Sequence, residues 1–116
     1  MKRKKIIVRK GNAYVPVDIY SIALFLSSQK LTFAIDFIGN KYLVDKSLSD
    51  LEDSIDPYTF FRVNRQNIIN VDAIKEFKVK EYGRLSIKLL PQKELEGELH
   101  VSHFTAPLFK KWLEKI

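Results

Sequence analysis

Apolar and polar positions alternate over short stretches for most of the chain, the two-residue period of half-buried strands. "IIVRK" and "AYVPV" predict two strands split by a tight turn at Gly11-Asn12. Ile19 to Leu26 predicts a buried run ending at the polar Ser27 to Lys30. Thr32 to Ile38 is rich in Phe and Ile, and Gly39-Asn40 turns it into "KYLV", a predicted hairpin. Phe77 and Val79, then Leu85, Ile87 and Leu89 set against Ser86 and Lys88, predict a second hairpin over 74–90 with one wet face. Two segments carry a helical period instead. Ser47, with Asp50 three residues on, resembles a capping box before Leu48, Leu51 and Ile55 on one face, and Pro57 stops the helix. Near the C-terminus Pro107 falls in a first turn, with Leu108, Trp112, Leu113 and Ile116 as the expected apolar side. Lys110, Lys111 and Lys115 suit the negative end of that helix's dipole.

One stretch breaks the pattern, "FFRVNRQNIINV", Phe60 to Val71. It reads as a strand end leading into a tight turn, with Phe61 and Val63 on one side and Phe60 and Arg62 on the other. Ile68, Ile69, Val71 and Ile74 return to the core, leaving Asn64, Arg65, Gln66 and Asn67 expected to project from a stiff base. Arg offers a planar fork of donors to phosphate or to a guanine edge, and Asn and Gln match the adenine edge. No acidic residue lies in the stretch. These are requirements of a base-reading loop, but a solvated turn satisfies the same residue types. Asn70, between Ile69 and Val71, reads as a backbone-satisfying residue.

Composition narrows the choice. A chain of 116 residues fits one domain, and 46% hydrophobic residues place it among globular proteins. It has no cysteine, so neither disulfides nor thiolate chemistry. The longest unbroken apolar run, Ile22 to Leu26, is too short to span a membrane, and a cytoplasmic location is expected. The net charge of +6 is local: residues 1–10 hold six basic groups and no acidic one, while the rest is balanced at 14 of each sign. Residues 1–5 therefore read as a basic arm or a linker remnant, not as part of a basic domain.

Three rival readings draw on particular residues. An enzyme would have to use His100 and His103 near Glu96 and Glu98, but Gly97 and the β-rich context place the imidazoles on opposite faces of a strand. No Ser/His/Asp set or Gly-rich phosphate loop accompanies them, so neither catalysis, metal nor cofactor is expected. A β-rich protein-interaction module would need an exposed apolar patch, for which Phe109 and Trp112 are candidates, though Trp112 at helical spacing reads as core. A single-strand binder would stack bases on Tyr14, Phe33, Phe37 and Tyr42, aromatics that in strands more often belong to the core.

"FFRVNRQNIINVDAIKEF" resembles the signature of the LytTR family of bacterial DNA-binding domains, with Phe61-Arg62-Val63, Arg65, Ile69, Asn70 and Ile74 in register. Val17 to Leu26, "YLVDKSLSDLED" and "HVSHFTAPLFKKWL" extend the resemblance over essentially the whole chain. It implies a mainly β, elongated stack of short sheets with small helices, including a C-terminal one. It implies double-stranded DNA as partner, bound by loops entering the major groove at tandem repeat sites, in the output domain of a two-component transcription regulator. A receiver domain in a longer chain is the expected companion, and without it self-association is expected to be weak or absent. Carried over by position, the DNA contacts fall on Gln29 and Lys30, on Asn64, Arg65, Gln66 and Asn67, and on Ser102 and His103 in the closing strand, with Arg62 as a phosphate partner. Asn64 stands where the family usually has His, and His103 where Arg is usual, so the target sequence is expected to differ.

Overall fold

The strand periods resolve into two antiparallel sheets in a computed structural model, which describes residues 4–90 and 98–115. Strands β1 (Lys5–Lys10), β2 (Ala13–Asp18), β3 (Ile22–Ser28), β4 (Leu31–Asp36), β5 (Lys41–Val44), β6 (Phe60–Asn64) and β7 (Asn67–Asn70) form a seven-stranded sheet in the order β2-β1-β5-β4-β3-β7-β6. Strands β8 (Ile74–Val79), β9 (Leu85–Leu89) and β10 (Leu99–Val101) form a second, in the order β10-β9-β8. Helix α1 (Leu48–Ser54) joins β5 to β6, and α2 (Ala106–Glu114) closes the chain. The molecule is elongated, 45 × 32 × 24 Å along its principal axes.

The large sheet has an apolar layer on each face. Ile6, Val8, Phe25, Ala34, Phe60 and Ile68 pack beneath Leu48 and Leu51 of α1 and Ile55 just past its end. On the other face Leu24, Ile35, Val63 and Ile69 meet Leu85, Ile87, Val101, Phe109 and Trp112 from the small sheet and α2. A bulge between Ile22 and Leu24 lets β3 serve both layers. Ala23 and Leu24 turn to one side, while Ile22 and Phe25 turn to the other. The 22–26 run is apolar throughout because that strand is buried on both faces.

The α1 capping reading holds, since Ser47 Oγ accepts from Asp50 N at 3.1 Å. In α2, Ala106, Phe109 and Trp112 form the buried side, whereas Leu108, expected there, is exposed. The helix opens at Ala106, and residues 106, 109 and 112 recur three apart along one face. Ile116 lies outside the described residues. Phe109 and Trp112 are thus core and supply no surface patch; Trp112 Nε1 also donates to Pro57 O at 2.8 Å.

Three further expectations change. The closing hairpin lacks the simple wet face, because β9 is the central strand of its sheet and Ser86 is buried, donating its hydroxyl to the Glu98 carboxylate. The run from Ile19 starts as a 3₁₀ turn over Ile19–Ser21. Tyr14, Phe33, Phe37 and Tyr42 are not in the fully buried core. Among the described residues, the apolar layer that the small sheet and α2 share with the large sheet includes no residue of β1, β2 or β5.

The β4–β5 turn is fixed by Asp36. Its Oδ1 accepts from the backbone N–H of Ile38, Gly39 and Asn40, and its Oδ2 from Asn40 Nδ2. Burial pushes this carboxyl up, but the donors from Asn40, Gly39 and Ile38 outweigh it and hold the group below its ordinary range.

Candidate nucleic-acid interface

The turn at the centre of the signature is built by a bulge. Arg62 pairs with Ile68, but Asn64 pairs with Asn67, so Val63 is the extra residue and Arg65-Gln66 is left as a two-residue turn. Asn64 Oδ1 accepts from Gln66 N at 2.9 Å and from Asn67 Nδ2 at 3.0 Å, locking that turn from within. Asn67 is buried. The expectation that all four residues project therefore holds only for Arg65 and Gln66, while Asn64 is half-buried and shapes the turn.

Arg62 is a brace. Its Nε donates to Asn64 O at 3.3 Å and one terminal nitrogen to Arg65 O at 2.9 Å. The other terminal nitrogen donates to Ser49 Oγ and to Glu52 Oε1, at 3.1 and 3.2 Å. The guanidinium thus clamps the turn's carbonyls to α1, which leaves little of it for a phosphate. Sequence reasoning missed Ser49 and Glu52 because nothing local links them to the turn.

Two hydrogen bonds set the other predicted loops beside this one. Ser27 N donates to Gln66 O at 2.8 Å, which places the β3–β4 hairpin against the turn. That hairpin's tip is Gln29-Lys30, both exposed and both left-handed, with φ of 51° and 67°. On the opposite side Asn64 Nδ2 donates to His100 O at 3.2 Å, bringing in β10 and the segment after it. Ser102 and His103 lie beyond the end of β10, in the turn entering α2, and not in the closing strand as expected. Ser102 O accepts from Ala106 N at 2.9 Å, and Ser102 Oγ from Thr105 N at 3.3 Å. His103 is exposed. A cleft of about 410 Å³ brings Arg62, Asn64 and Arg65 together with Ser102 and Thr105.

Two exposed aromatics extend this row. Phe104 is 79% exposed and its ring lies 3.9 Å from that of His103. Tyr82, 84% exposed with φ of 60°, sits at the β8–β9 tip, where a Cβ on Gly83 would stand 3.5 Å from His103 Cβ. The sequence held a signal for Phe104: an aromatic between His103 and Thr105, outside both the strand and helix periods.

The arrangement offers hydrogen-bond donors and stacking surfaces. Among the described residues no three His, Cys, Asp or Glu side chains converge as a metal site would require. Glu96 and Gly97, which entered the enzyme reading, lie outside the described residues, as do Lys2 and Arg3 of the basic arm. Lys4 is not free arm: its carbonyl accepts from Ile19 N at 2.9 Å, and β1 starts at Lys5. No helix among the described residues is long and apolar enough to cross a membrane.

The family model of the LytTr DNA-binding domain matches residues 12–114, which takes in all three loops. Among solved structures, the LytTr DNA-binding domain described for a methyl-accepting/DNA response regulator from Bacillus cereus superposes with a TM-score of 0.80. At 20% identity, the match covers 96% of this chain and 97% of that one. Comparison with curated proteins gives no match.

Proposed function

Because the chain belongs to the LytTr DNA-binding domain family, we propose that it reads duplex DNA by inserting three adjacent loops into the major groove. The observation that carries the reading is the pair of hydrogen bonds, Ser27 N to Gln66 O and Asn64 Nδ2 to His100 O, that sets three distant loops side by side. Gln29 and Lys30 form one outer contact, Arg65 and Gln66 the centre, and Ser102 and His103 the other outer contact. Asn64, Asn67 and Arg62 hold the central turn in shape, so that Arg65 meets a base edge or phosphate without first being ordered.

In this reading residues 1–116 are one DNA-binding domain and the output part of a bacterial, cytoplasmic transcription regulator of the two-component type. A receiver domain belongs to the longer chain, and tandem repeats form the DNA site. The family is one of DNA-binding domains and not of enzymes. Alone, the domain associates weakly, and sedimentation at micromolar concentration should give a monomer.

Site selection from a random duplex pool, followed by fluorescence anisotropy across a salt series, tests the reading. Neutralising about 4–6 phosphates with Lys30, Arg65 and neighbouring cations gives a slope of about −4 to −5 in log affinity against log salt. A flat salt response, or no sequence enriched over the pool, would sink it.

A further inference from the structure

The β1–β5 part of the large sheet holds a cleft centred away from the three loops. It encloses about 600 Å³, a volume ordinary for small-ligand sites, and is lined by Arg9, Lys10, Gly11, Phe33, Asn40, Lys41, Tyr42 and Leu43. Three of these are cations and none is a carboxylate. Two nearby carboxylates are already engaged. Asp36 is held by the β4–β5 turn, and Asp45 pairs with Arg9 at 3.5 Å, an exposed contact weak enough to yield to a better anion. The floor is apolar and partly aromatic: Phe33 and Leu43 face each other across β4 and β5, and Lys41 Nζ stands 4.4 Å from the Phe33 ring centre. Arg9 similarly lies over Tyr14, at 5.6 Å.

The cleft starts near the β3–β4 hairpin, since Arg9 and Leu43 also line the hollow beside Lys30, and runs away from it along β4 and β5. Lys41 pairs with Ile35, four residues along β4 from Leu31 at the hairpin tip, which is about 13 Å of strand. Excess positive charge set over a flat apolar floor fits an anion that carries a planar ring.

We infer that this cleft binds a nucleotide, with phosphate oxygens drawn to Lys10, Lys41 and Arg9 and the base lying on Phe33 and Leu43. The same chemistry is presented by a free mononucleotide and by a nucleotide of an unpaired strand. No bond is made or broken.

The test is a titration of the intact chain followed through backbone amide resonances, with adenosine, inorganic phosphate, AMP and hexadeoxyadenylate as separate probes. AMP should shift Gly11, Asn40, Lys41 and Leu43 saturably, and bind roughly tenfold or more tightly than adenosine or phosphate alone, the expected gain from adding stacking to charge. Tighter binding of the hexamer assigns the strand as source; equal or weaker binding assigns the free nucleotide. The Lys10→Ala, Lys41→Ala double variant should lose most of the response with an unchanged melting temperature, since both side chains are exposed. Should the double variant be unstable, Lys41→Gln alone must still weaken AMP. Equal response to phosphate alone, shifts scattered over unrelated lysines, or no saturable shift at these four residues overturns the inference. The titration needs no duplex, so its failure leaves the DNA reading standing, and the reverse holds too.

Discussion

Replacing Asn64 by Ala should unfold the domain at a markedly lower temperature, because Asn64 organises the recognition turn. Three hydrogen bonds are lost: those from Gln66 N and Asn67 Nδ2 to Oδ1, and that from Nδ2 to His100 O. Gln66 N and His100 O belong to exposed residues and can turn to water, costing about 0.5–1 kcal/mol each. Asn67 is buried, and leaving its amide without an acceptor costs about 1 kcal/mol more. The sum, about 2–3 kcal/mol, corresponds to roughly 8–12 °C in a domain of this size. Thermal melts followed by circular dichroism and by Trp112 fluorescence measure it; Trp112 is the single tryptophan and is buried, so it reports the core. Asn64→Asp keeps the acceptor but loses the donor to His100 O, and should fall between Ala and the parent. If Asn64→Ala melts within about 2 °C of the parent, the turn does not depend on this side chain, and its pre-ordering for Arg65 is refuted.

Lys30→Gly should raise stability by about 1 kcal/mol, since a left-handed φ strains Lys but not Gly. The same change should weaken duplex binding; a variant that is more stable and binds equally well would remove Lys30 from the interface. His103→Arg should tighten binding or shift the selected sequence, by about 1–3 kcal/mol if the fork meets a guanine edge, and repeated site selection on that variant decides it. The Asp36 carboxyl is held below its ordinary range in the folded state, so its contribution is present at neutral pH and is lost as pH falls through the folded value. Chemical denaturation from pH 7 downward should therefore show stability falling more steeply below about pH 4 in the parent than in Asp36→Asn, which has no carboxyl to protonate. Parallel curves for the two would refute that assignment.

The hairpin turns at Gly11-Asn12 and Gly39-Asn40 and the capped helix at Ser47 were legible in the sequence because each is decided by neighbours in the chain; the buried run from Ile19 to Leu26 was legible as buried, but not its opening 3₁₀ turn or its bulge. The turn at Arg65-Gln66 was legible in place but not in detail. Nothing local shows that the bulge at Val63 folds Asn64 inward, or that Arg62 reaches across to α1. That Phe33 and Tyr14 stay out of the fully buried core could not be read from alternation. Alternation says which side chains share a face, and only the placement of the small sheet decides whether that face is covered. Leu108 and Phe109 exchanged roles for a related reason: either could lie on the apolar side until the helix start at Ala106 sets its rotation.

The loop mechanism stands or falls on Arg65. Its guanidinium is carried on a turn braced by Asn64 and Arg62, whereas Lys4 can act on DNA only through charge. Affinities of Arg65→Ala and Lys4→Ala for a selected site and a scrambled duplex, with melting temperature as folding control, separate the two roles. Arg65→Ala should cost about 1–3 kcal/mol on the selected site and flatten the preference between duplexes, without changing the melt, because the side chain is exposed. Lys4→Ala should weaken both duplexes alike and by less. Equal losses on the two duplexes for Arg65→Ala would contradict base reading by this loop.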